Sequence, residues 1–81
     1  MQVNLFGILA DLAGQRCLPE TPDELATGQA LREYLARQYP QMAEQLSRPS
    51  TRLVLNQEIA DWQMPLTPAL DIAIIPMVSG G

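Results

Sequence analysis

The run Ile72-Ala-Ile-Ile75 constrains this chain more than any other stretch. It is β-branched, carries no charge and is closed off by Asp71 and Pro76, which predicts a strand. So apolar a strand points to a central place in a sheet. The opening residues also read as a strand. In Gln2-Val-Asn-Leu5, Val3 and Leu5 point one way and Gln2 and Asn4 the other, as in a half-buried strand. Phe6 breaks that alternation, and Gly7 marks an irregular end or a close backbone approach.

Between these two strands the chain supplies their neighbours and a cover. Asp11-Leu-Ala-Gly14 reads as a turn closed by glycine, with a return strand through Arg16, Cys17 and Leu18. Two closely spaced prolines, Pro19 and Pro22, put residues 19–26 in a loop. Thr27 is the expected N-cap of a helix from Gly28 to about Tyr39. Leu31, Tyr34 and Leu35 give it one apolar face, while Arg32, Glu33 and Arg37 fall on the solvated side. Pro40 ends it. A short helical piece then turns Met42, Ala43 and Leu46 inward. Thr51–Leu55 is a strand, Asn56-Gln57 a turn and residues 58–60 a short return strand. Residues 61–68 are polar and proline-marked.

The order strand, strand, helix, strand, short strand, strand gives an α+β domain. Its first and last strands are central, and one main helix covers the sheet. This is the β-grasp, or ubiquitin-like, arrangement. It is expected over residues 1–76, with residues 77–81 as a tail.

Composition excludes several classes of function. With 81 residues the chain holds one small core and little interior for a substrate pocket. It has no Lys, five Arg that do not cluster and a net charge of −4, so neither a nucleic-acid footprint nor a polybasic membrane anchor is present. Without His, and with Cys17 alone, the sequence lacks the commonest general base, the Ser-His-Asp triad and cysteine- or histidine-based metal sites. No signal peptide or membrane span is recognisable, and a cytoplasmic location is expected. Cys17 reads as an inert strand residue, and Tyr34 and Trp62 as core. Charged residues make up only 17%, against about 25% in an average domain. Either part of the surface is a partner face, or Gln, Thr, Ser and Pro supply the polarity.

The chemistry is expected in the last residues, Met77-Val-Ser-Gly-Gly81. Two glycines there bury no side chain and contribute nothing to stability. They can enter a channel too narrow for a Cβ, carrying a carboxylate at the tip of an arm that reaches ~3.3 Å per residue. ATP can activate that carboxylate as an acyl-adenylate, and a sulfur nucleophile can displace AMP to leave a thiocarboxylate.

Taken together, Val3-Asn-Leu-Phe6, the segment closing at Gly14, Thr27 with Leu31, Leu35 and Tyr39-Pro40, Leu53-Val-Leu-Asn56, and above all Ile72–Pro76 with Val78-Ser-Gly-Gly81 resemble a known family. They are similar to the small subunit of molybdopterin synthase, a ubiquitin-like sulfur carrier. Ala10-Asp11, Ala69-Leu70-Asp71 and Met77 depart from its usual Arg-Glu, Gly-Asp-Glu and second proline.

The resemblance implies that an E1-like adenylyltransferase spends ATP on Gly81, that a sulfurtransferase system supplies sulfur, and that the chain itself binds no cofactor tightly. The charged carrier would join the large synthase subunit in a hetero-oligomer and donate sulfur to a pterin precursor. The catalytic residues would lie on that subunit. Gly80 and Gly81 are then the reacting end. Met77, Val78 and Ser79 lie against the partner. Phe6 is either on the docking face or in the core, and Leu70 either joins that patch or fills a sheet edge. The competing readings are a sulfur carrier for thiamine or another thio-compound, a protein modifier forming isopeptide bonds, and a plain interaction module.

Overall fold

The computed structural model describes residues 1–77. Its elements are β1 (Val3–Leu5), α1 (Gly7–Ala13), β2 (Cys17–Leu18), α2 (Gly28–Gln38), a 3₁₀ turn (Pro40–Met42), α3 (Ala43–Leu46), β3 (Thr51–Leu55), β4 (Glu58–Ala60) and β5 (Ile72–Pro76). The five strands form one sheet in the order β2-β1-β5-β3-β4. β5 lies in the centre, parallel to β1 and antiparallel to β3, as its apolar sequence requires. The other neighbours, β1 with β2 and β3 with β4, are antiparallel. This is the β-grasp arrangement.

Alternation assigns the two faces. Val3, Leu5, Leu53, Leu55, Ile72 and Ile74 turn inward and are buried with Leu9, Leu31, Leu35, Met42 and Leu46. Helix α2 forms where its spacing predicts. Thr27 Oγ1 accepts a hydrogen bond from the Ala30 N–H at 3.2 Å, and Leu31 and Leu35 are fully buried. The loop after β4 satisfies two more first-turn donors, which have no partner within the helix. The Gly28 N–H donates to Met64 O at 3.1 Å and the Gln29 N–H to Trp62 O at 2.7 Å. That approach requires glycine, because a Cβ at residue 28 would stand 2.5 Å from Leu53 Cδ2 and 2.9 Å from Trp62 O. Pro40 stops α2 and opens the 3₁₀ turn, which leads into α3 and buries Met42. Thr51, buried at the start of β3, donates through its hydroxyl to Gln45 O at 2.6 Å.

The first connection differs from its sequence reading. β1 ends at Leu5, and residues 7–13 are a helix rather than a strand end followed by a turn. Gly7, at φ +57°, lets the chain leave the strand and start α1 at once, and Gly14 caps the helix with its N–H on Ala10 O at 2.9 Å. Leu9 is fully buried, and Ala10, Leu12 and Ala13 pack beside it. Seven residues are too few to show a helical repeat clearly, so tertiary packing decides the conformation. Arg32 is not simply solvated. Its guanidinium carbon sits 4.3 Å from the Trp62 ring centroid, a cation–π contact. Glu33 accepts from Gln29 Nε2 at 3.0 Å and makes no ion pair with Arg37.

Candidate functional site

β5 carries the chain out of the middle of the sheet towards its C-terminal residues, so the end of β5 is where any tail chemistry is anchored. On one side Pro76 is paired with Thr51 of β3, and the Met77 N–H donates to Ser50 O at 2.8 Å. On the other side the Phe6 N–H donates to Ile74 O at 3.3 Å, and the Pro76 ring lies against Gly7. Val78, Ser79, Gly80 and Gly81, which carry the expected chemistry and part of the partner contact, lie outside the described residues.

The outer face of the sheet runs up to this exit. Register places Asn4, Ala73, Val54 and Ile59 in one row across four strands, with Ile75 and Arg52 paired in the next row. Asn4, Phe6, Val54, Gln57, Asp71, Ala73 and Ile75 line a shallow groove of about 310 Å³. Helix α2 covers the opposite face, so this one is left to water or to a partner. Phe6 is 49% exposed, Ile59 53% and Met77 45%. Large apolar groups gathered on one face mark an interaction surface more than scattered ones do.

Of the residues singled out in the sequence, Phe6 therefore stands on the surface beside the tail root, and Met77 is exposed at the root itself. Leu70 is placed elsewhere. It precedes β5, at the far end from Met77, is half-buried, packs on the core and lines a groove under β4 that Ile59 also lines. Cys17 is half-buried on β2, opposite Asn4. Tyr34 and Trp62 pack against the core.

Ile59 and Ile75 escaped the sequence reading. Their signal is alternation. Ile75 neighbours the inward Ile74 and must face outward, as Ile59 must between Glu58 and Ala60, but only the strand order shows that both share a face with Phe6. Among the described residues no three Cys, Asp or Glu side chains converge as a metal site would need. No described helix is long and apolar enough to cross a membrane.

A five-stranded mixed sheet with a covering helix, and a central last strand that leads into a Gly-Gly end, define the ubiquitin-like β-grasp class. Within that class the chain belongs to the ThiS family, which it matches over residues 3–81. No curated protein matches it in sequence. Among solved structures, SAMP1 from Haloferax volcanii is similar at TM-score 0.82 and 25% identity, covering 100% of this chain and 98% of that one. A second structure, the small archaeal modifier protein 1 of H. volcanii, aligns at TM-score 0.81 and 23% identity over 96% and 97%. A protein assigned as molybdopterin converting factor, subunit 1, from Pyrococcus furiosus aligns at TM-score 0.77 and 18% identity over 95% of each chain. At that identity the likeness is one of fold. The chain thus has the fold of the ThiS-type ubiquitin-like sulfur carriers and modifiers.

Proposed function

We propose that this protein is the sulfur carrier of molybdopterin synthesis, with Gly81 as its reacting residue. The observation that carries the reading is the union of a central strand, an apolar outer face and a Gly-Gly end. The strand holds the root of the tail rigidly, the face gives a partner something to bind, and the glycines pass where a side chain would not.

In this reading an E1-like enzyme binds ATP, and the Gly81 carboxylate attacks its α-phosphorus, releasing pyrophosphate. A sulfide-equivalent nucleophile from a sulfurtransferase then adds to the acyl carbon, and AMP leaves with the bonding electrons. The resulting thiocarboxylate is delivered to the large subunit of molybdopterin synthase, whose own side chains carry out the transfer. The chain supplies the donor atom and the docking face. Phe6, Ile59, Ile75 and Met77 form the apolar part of that face.

The reading is tested by reconstitution. A chain carrying a synthetic C-terminal thiocarboxylate is mixed with the large subunit and the pterin precursor. Formation of the dithiolene at one sulfur per carrier consumed supports it. No transfer to the pterin precursor, or transfer to a thiazole precursor offered in a parallel reaction with its own synthase, contradicts it.

A second reading has a specific observation behind it, because two of the similar structures are of one protein, the small archaeal modifier protein 1 of H. volcanii. As a modifier, the same activated Gly81 would be captured by an amine of another protein. Conjugates in which Gly81 is joined through an isopeptide bond to target lysines, found by mass spectrometry when the chain is expressed with its activating enzyme, would decide for it.

A further inference from the structure

We propose that Gly7 is a positioning residue for the tail, because its missing side chain seats Pro76 and so fixes where the chain leaves the sheet. The inference rests on the carrier reading, since it assigns Gly7 to delivery of the same C-terminal carboxylate. Three observations carry it.

The first is steric. A Cβ built on Gly7 would stand 3.1 Å from Pro76 Cγ and 3.8 Å from Cδ. A long side chain could swing aside at that distance, but a proline ring is closed onto its own backbone. At that distance something must give by a few tenths of an ångström, through the pucker of the Pro76 ring or a shift of the backbone at Pro76 or Gly7, so a Cβ on Gly7 loads directly onto the root of the tail.

The second is the hydrogen-bonding pattern. Proline has no N–H to offer. On the β3 side the root is held by the Met77 N–H on Ser50 O at 2.8 Å. On the β1 side the last bond before it runs from the Phe6 N–H to Ile74 O at 3.3 Å. Beyond that bond, the neighbour of the root on this side is Gly7, over which the Pro76 ring lies.

The third is a comparison inside the molecule. Gly14 has a similar backbone, at φ +76° against +57° for Gly7, and also borders α1, yet a Cβ there meets nothing within 4 Å. Cap geometry alone accounts for Gly14. It does not account for the packing at Gly7.

The pair Gly7→Asn and Gly14→Asn isolates the contact from the backbone strain. Asparagine tolerates positive φ better than most residues, so both variants are expected to fold with similar, modest losses in Tm. Both are compared with the wild-type chain, using an adenylating enzyme that activates the wild type with ATP.

Gly7→Asn is expected to slow tail activation at saturating enzyme by about tenfold, since sub-ångström to ångström misplacement of a reacting group costs up to about 100-fold. The half-saturating concentration should change by less than about twofold, because the docking face is intact. Hydrogen exchange of the Met77 amide should be faster in the same variant. Gly14→Asn should leave all three readouts unchanged.

Wild-type activation rates in Gly7→Asn, or equal slowing in Gly14→Asn, would overturn the proposal. So would Met77 exchange that both substitutions leave alone. A wild-type chain that no adenylating enzyme activates overturns the carrier reading instead, and Met77 exchange then still decides whether Gly7 anchors the root.

Discussion

Phe6 gains little from folding where it stands. It is half-exposed, one residue beyond β1 and beside the point where β5 ends. A partner that buries it recovers the area folding left in water, at roughly 25 cal/mol per Å². Phe6→Ser is therefore expected to keep folding stability within about 0.5 kcal/mol, as thermal denaturation would show. The same change should weaken docking to the activating enzyme by about 30-fold, the equivalent of a ~2 kcal/mol interface anchor. Gly81 makes the opposite case, because it has no side chain to bury. Deleting it should leave Tm where it is and abolish activation, which separates a carrier or modifier from a module whose glycines are incidental. The residues proposed to react are read from the sequence alone, because two consecutive glycines after an apolar strand serve no packing purpose. The apolar outer face was only half legible. Phe6 announced itself by breaking the alternation, whereas Ile59 and Ile75 acquire meaning only once β4 and β5 are placed on the same sheet.

Helices α1 and α2 show what a pattern can and cannot carry. α2 has eleven residues, a Thr27 cap and two leucines four apart, so local and tertiary preferences agree. α1 has seven residues, opens on Gly7 and is capped by Gly14, both at positive φ, and holds through the burial of Leu9, which no local signal reveals. The start of α2 is the more brittle contact. Gly28→Ala forces a methyl against Trp62 O and Leu53, and is expected to cost about 1–3 kcal/mol, the usual range for overpacking. A urea titration would read it as a lower midpoint at unchanged slope. The β3–β4 hairpin offers the reverse. Asn56 and Gln57 take φ +50° and +70°, as a type I′ turn demands. Asparagine suits that conformation, but glutamine does not. Gln57→Gly should raise stability by up to about 1 kcal/mol, which for a domain of this size is a Tm gain of roughly 4–8 °C.

At the scale of the molecule there is one core and two faces of a single sheet. The inner face holds the protein together. Ile74 lies fully buried at its centre, facing Leu5 and Leu53 across the ladder. Ile74→Ala is expected to cost about 2–5 kcal/mol, most of what a domain this small commands, and loss of the near-UV circular dichroism signal at 37 °C would register it. The outer face is left for binding, and the strand that anchors the core also delivers the tail. In the proposed function, the rigid sheet and the reacting tail meet at Pro76, which would let a chain with little interior for a pocket of its own take part in covalent chemistry. The most direct test is the intact mass of the chain after incubation with an E1-like enzyme, ATP and a sulfur source. The account predicts a gain of about 16 mass units, one oxygen replaced by sulfur in a covalent modification, located on Gly81 by fragmentation. An unchanged mass with an enzyme shown to bind the chain and to turn over ATP, or a gain located on any other residue, would contradict it.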